Sequence, residues 1–98
     1  MAENGNKAAI VTCGAGGLGA AMAKGLLADG YEVVIADLNE DALETAAQEM
    51  SGNPARVRGV PCDVSDPQSV EDLVAEAVSA HGRLDALVNC AGIGPLPA

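Results

Sequence analysis

The stretch Val11-Thr12-Cys13-Gly14-Ala15-Gly16-Gly17-Leu18-Gly19 constrains this chain more than any other. It follows a short apolar run, Lys7 to Thr12, and opens an alanine-rich segment in which Leu18, Met22 and Leu26 recur at helical spacing. Gly14, Gly16 and Gly19 give the spacing G-x-G-x-x-G. Glycines there let the backbone turn tightly and approach a phosphate with no side chain in the way. The helix that follows points unpaired N–H groups at the anion. The spacing predicts strand, turn and helix, with a dinucleotide's pyrophosphate at the turn.

With Gly 12 among 98 residues, the spacing alone arises easily by chance, and its context decides the matter. A second apolar run, Tyr31 to Ala36, ends at Asp37, on the pattern of an acid that binds the adenosine ribose. Asn39 then caps a helix with the apolar stripe Leu43, Ala46, Ala47 and Met50, and Gly52 stops it. Arg56 to Cys62 reads as a third strand, weakened by Gly59 and Pro61. Asp66-Pro67 is a cap followed by proline at the first helical position, and Val70, Leu73, Val74, Ala77 and Val78 mark the inner face of the helix it opens. Gly82 ends that helix, and Leu84 to Asn89 supplies a fourth strand.

The resulting pattern is βαβαβαβ. Right-handed crossovers make it an α/β, Rossmann-like parallel sheet with strand order 3-2-1-4, the incomplete half of a doubly wound domain. Residues 1–98 form one dinucleotide-binding domain, with the first two helices on one face and the third on the other. A parallel sheet normally has both faces covered. The outer edge of the fourth strand is left bare, so the chain is expected to be truncated at its carboxyl end and to associate, dimerise or remain partly unfolded by itself.

Composition narrows the function. A net charge of −9, with five scattered basic residues, excludes the electrostatic footprint of a nucleic-acid or anionic-membrane binder. Half of the acids (Glu40, Asp41, Glu44, Glu49, Glu71, Asp72 and Glu76) fall on the second and third helices, as solvated faces. No run approaches the roughly 18 apolar residues of a membrane span, and the amino terminus has no signal-peptide character, so a cytoplasmic location is expected. Three cysteines without C-x-x-C suit reduced thiols. Cys13, Cys62 and Cys90 stand near the carboxyl ends of strands, where small buried thiols, or an oxidisable Cys13–Cys90 pair, are favoured over a metal site. His81, just before Gly82, reads as a partner of the helix dipole rather than a catalytic base.

These residues together resemble the short-chain dehydrogenase/reductase family over essentially the whole chain. The family's T-G-x-x-x-G-x-G loop aligns with Thr12 through Gly19, its acid after the second strand with Asp37, its D-V pair with Asp63-Val64, and its N-N-A-G with Asn89-Cys90-Ala91-Gly92. The resemblance implies that Thr12 bonds within the loop region and that Gly14, Ala15, Gly16, Gly17, Leu18 and Gly19 line the pyrophosphate. It further implies that Asp37 binds the adenosine ribose, that Asp63 and Val64 flank the adenine, and that Asn89, Ala91 and Gly92 border the nicotinamide side. Packing alone explains Gly17 and Gly19 in the bland alternative, a strand-end cap explains Asp63, and a bond between strands explains Asn89. Two positions depart from the family: Cys13 replaces a loop glycine and Cys90 an asparagine. A non-glycine residue at a positive φ would cost roughly 1–3 kcal/mol, weakening cofactor binding unless Gly14 absorbs the turn.

Asp37 argues for NAD over NADP. Its carboxylate would face a 2′-phosphate, and two charges ~4 Å apart at an effective dielectric of 20 repel by ~4 kcal/mol. The family's catalytic Ser, Tyr and Lys, with Y-x-x-x-K, have no counterpart here: the single tyrosine, Tyr31, has Ile35 four residues on. The expectation is the NAD-binding portion of an oxidoreductase that interconverts an alcohol and a carbonyl, acting on a small-molecule substrate as a homo-oligomer. These 98 residues contain no catalytic group and no metal ligand set. The alternative is a non-catalytic NAD-binding or assembly module complete as written. Coding sequence for Y-x-x-x-K beyond residue 98 would separate the two.

Overall fold

The computed structural model describes residues 7–12, 17–50 and 56–89. The elements alternate: β1 (Ala8–Thr12), α1 (Gly17–Ala28), β2 (Glu32–Asp37), α2 (Glu40–Met50), β3 (Val57–Pro61), α3 (Pro67–His81) and β4 (Ala86–Asn89). The four strands form one parallel sheet in the order β3-β2-β1-β4. Both the alternation and the order agree with the sequence expectation, since a parallel neighbour is reached only by a crossover and the crossovers here are helices.

Each strand sends alternate residues to opposite faces, which splits the core in two. Ile10, Val34, Ala36, Val60 and Cys62 meet Leu73 and Ala77 of α3 on one face. Val11, Val33, Ile35 and Val57 meet Ala23 of α1 and Leu43 and Ala46 of α2 on the other. With no Phe and no Trp in the sequence, both layers are built from aliphatic side chains. The interior strands β1 and β2 are buried through nearly their whole length.

The helix boundaries follow from local chemistry. Asn39 Oδ1 accepts from the Ala42 N–H at 3.0 Å, capping α2. Asp66 caps α3 through the Gln68 N–H, Pro67 occupies the first helical turn, and Gly82 closes the helix at φ 79° with its N–H on the Val78 carbonyl. On α1 the inner face differs from the apolar stripe seen in the sequence. Gly19 and Ala23 are the buried residues, while Leu18 and Met22 are exposed. Small residues let the helix axis lie close to the sheet, Leu18 and Met22 are turned outward, and Leu26 and Leu27 pack partly against the core.

The fourth strand starts two residues later than its apolar run suggests, because Asp85 is used as a clamp. Its Oδ2 accepts the Ala8 N–H at 2.8 Å while its own N–H donates to the Ala8 carbonyl at 2.8 Å. Arg83 grips the same carboxylate with bonds of 2.8 and 2.7 Å. The Arg83 side chain, then the Ala8 N–H, hold the Asp85 pKa below the ordinary carboxylate value. A depressed carboxylate stabilises the fold above its unfolded pKa and loses that contribution as pH falls through the folded one. Acid unfolding is therefore expected to steepen below about pH 4, and Asp85→Asn to flatten that part of the profile. Urea midpoints between pH 2.5 and 7 measure it, and an unchanged profile in the variant would show the clamp to be inert.

Candidate functional site

Because all four strands run the same way, their carboxyl ends share one edge of the sheet. Thr12, Asp37, Pro61 and Asn89 end β1, β2, β3 and β4. An edge of this kind, where strands hand over to helices, is where open α/β sheets take their ligands.

Thr12 and Asn89 are register partners across β1 and β4. The Thr12 hydroxyl donates toward Asn89 Oδ1 at 2.9 Å and lies 3.3 Å from the Val88 carbonyl. The structural bond between the fourth strand and its neighbour is thus present, and it fixes the Asn89 side chain at the edge. Thr12 is buried, and Asn89 is exposed.

The end of β2 is tied to the end of β3. The Cys62 N–H donates to the Asp37 carbonyl at 2.9 Å, continuing the ladder one step past Pro61. Asp37 Oδ1 accepts from the Leu38 N–H at 2.8 Å, which turns the carboxylate back over the strand end. Next along the chain, Asp63 Oδ1 accepts both the Ser65 N–H at 2.9 Å and the Ser65 hydroxyl at 2.6 Å. Those bonds, the hydroxyl's first, hold the Asp63 pKa below the ordinary carboxylate value. The Asp63 N–H donates to the Ser69 hydroxyl at 3.0 Å, and the Asp66 N–H to the Asp63 carbonyl at 3.0 Å. Val64 is exposed between them.

At the start of α1, Gly17 has open space where a Cβ would stand, Leu18 is exposed and Gly19 is buried. No acid lies in the first turn of this helix, so nothing there opposes an anion. Gly14, Ala15, Gly16, Ala91 and Gly92 lie outside the described residues, as do Cys13 and Cys90. Cys62 is a buried free thiol beside Ser69, 3.5 Å from its hydroxyl. Among the described residues no cluster of His, Cys, Asp and Glu could hold a metal ion. No described helix is long and apolar enough to cross a membrane. A concavity of about 360 Å³ between α2 and β3 carries Glu40, Asp41 and Glu44, and none of the candidate residues lines it.

His81 departs from its expected place as a simple dipole partner. Its Nδ1 lies 2.6 Å from Glu32 Oε1, with the two side chains 5% and 7% exposed. The pair joins the end of α3 to the amino end of β2, at the opposite edge of the sheet from the candidate residues. Sequence reasoning left Glu32 inside an apolar run, although a carboxylate there was a signal that a partner must exist.

Comparison with known proteins points one way. The family model for short chain dehydrogenases matches residues 7–98. An uncharacterized oxidoreductase of Staphylococcus haemolyticus is 40% identical over 93 residues, covering 95% of this chain and 39% of that protein. The D-threitol dehydrogenase of Mycolicibacterium smegmatis is 42% identical over 91 residues, covering 92% and 35%. A crystal structure of a short chain dehydrogenase from Mycobacterium smegmatis superposes with a TM-score of 0.80 at 37% identity, covering 86% of this chain and 36% of that one. The chain spans between a third and two fifths of the length of these relatives.

Proposed function

The chain belongs to the short-chain dehydrogenase/reductase family, and on that footing we propose that it forms the NAD-binding portion of an oxidoreductase that interconverts an alcohol and a carbonyl. The observation that carries the reading is Asp37, a carboxylate at the carboxyl end of β2, beside the strand that leads into the glycine loop. The donor set fits the group. Asp37 would accept the two ribose hydroxyls, the amino end of α1 would face the pyrophosphate, Asp63 and Val64 would border the adenine, and Thr12 would hold Asn89 near the nicotinamide ribose. When bound, the nicotinamide gives up or receives the hydride. The residues of this chain bind and orient it, and the 98 residues alone are expected to show no turnover, since they contain no Y-x-x-x-K.

NAD rather than NADP follows from charge. A 2′-phosphate would meet the Asp37 carboxylate with no cation following it, since Leu38 comes next and is exposed. The edge is open to solvent, so the full Coulomb repulsion is screened. NADH is expected to bind about tenfold more tightly than NADPH, corresponding to about 1.4 kcal/mol. Asp37→Ala is expected to bring the two together. Calorimetric titration of both cofactors tests this, and equal affinities for the wild-type chain would remove Asp37 from the ribose.

A further inference from the structure

The turn after β3 contains more order than a loop between a strand and a helix requires. Asp63 Oδ1 receives two donors from Ser65, its N–H and its hydroxyl. The backbone on either side is pinned as well, by Cys62 N–H on the Asp37 carbonyl and by Asp63 N–H on the Ser69 hydroxyl. Ser69 stands in the first turn of α3, which Asp66 caps. The carboxylate is consequently fixed in position, ionised and acceptor-only. One oxygen is saturated by Ser65, and Oδ2 has no partner among the described residues.

Resting on the cofactor reading above, we propose that Ser65 is the positioning residue of the adenine subsite. By occupying Asp63 Oδ1, its hydroxyl leaves Oδ2 as a single aimed acceptor that selects a purine with an amino group at position 6 over one with a carbonyl there. An amino group donates to a carboxylate, whereas a 6-oxo group presents a lone pair to it and is repelled. Without the Ser65 hydroxyl the carboxylate rotates between its two oxygens, and the selection weakens while the rest of the dinucleotide is held as before. Ser65 touches no ligand in this arrangement and acts through Asp63.

The test uses the 98-residue chain, with NAD, its hypoxanthine analogue and nicotinamide mononucleotide as probes, and circular dichroism to verify the fold of each variant. The wild type is expected to prefer NAD to the hypoxanthine analogue by about tenfold, the effect of a charge-assisted bond gained or lost. Asp63→Asn should abolish the preference. Ser65→Ala should reduce it to about threefold, Ser65→Thr, which keeps the hydroxyl, should restore it, and neither should change the affinity for nicotinamide mononucleotide. A preference lost in Asp63→Asn but intact in Ser65→Ala would overturn the role of Ser65 and leave the cofactor reading standing. Equal weakening of all three probes by Ser65→Ala would reduce Ser65 to a structural residue and overturn the proposal. No binding of any of the three probes by the wild type would overturn the cofactor reading itself, and this inference with it.

Discussion

Replacing His81 with Ala is expected to destabilise the fold by about 3–5 kcal/mol, because it removes a buried bonding partner from a carboxylate that folding has already taken out of water. Glu32 and His81 meet at 2.6 Å with almost no solvent access. Removing either partner takes from the other its 2.6 Å buried contact. Glu32→Ala should lose a comparable amount. The pair itself is worth much less than either loss, since replacing both members with apolar residues of similar volume is often close to neutral. The other ring nitrogen, Nε2, is buried and has no hydrogen-bond partner among the described residues, which removes one further reason to keep an imidazole there. The double variant Glu32→Leu/His81→Leu should therefore recover most of what each alanine variant loses. Urea unfolding followed by circular dichroism gives all the values. A double variant as unstable as the sum of the single ones would show that the two side chains are not coupled.

Leu73→Ala is expected to cost about 2–5 kcal/mol, the range for deleting a buried leucine side chain and leaving its cavity. Leu73 is 2% exposed and is the largest buried side chain that α3 contributes to its face of the sheet, supported by Ala77 and by the partly buried Val70 and Val74. The loss reaches the candidate site, because Ser69 of the same helix holds the turn that carries Asp63. Leu43→Ala on α2 empties the other face. The two sites share no neighbours in their clusters, so their losses should add to within about 0.5 kcal/mol. Against the roughly 5–15 kcal/mol of a chain of this size, the double variant should lose about 4–10 kcal/mol, a large fraction of the total. Thermal and urea unfolding of the three variants would show it, and a double variant no less stable than Leu73→Ala would mean that the two layers are not independent.

The order of the strands and the edge on which the candidate residues gather were legible because Gly and Pro punctuate the chain where helices begin and end. Asn39, Asp66, Pro67 and Gly82 each sit where their chemistry places them. Gly59 counted against a third strand, yet β3 runs through it. A Cβ there would lie 3.1 Å from Leu43 Cβ, so the residue that weakens the strand is what admits α2 against it. The inner face of α1 was less legible, because Gly19 and Ala23 bury little and no hydrophobic count favours them over Leu18 and Met22. The bond between Glu32 and His81 spans 49 positions, and no local pattern announces a contact of that length. The bonds within Asp63-Val64-Ser65 were readable in principle, since an aspartate two residues before a serine invites a local turn of side chain on backbone.

The position of β1 in the sheet sets an order of events during synthesis. Its first neighbour, β2, ends at residue 37, whereas its second, β4, is complete only at Asn89. At roughly 5–20 residues per second, the interval between the two on a ribosome is about 3–10 s, much longer than strand pairing itself requires. Through that interval β1 is an outside strand, its ladder from Ala9 to Thr12 open on the side that β4 will later occupy. A strand that ends up between two neighbours thus begins as a sticky margin, and the nascent chain has to be kept from other chains until β4 closes over it.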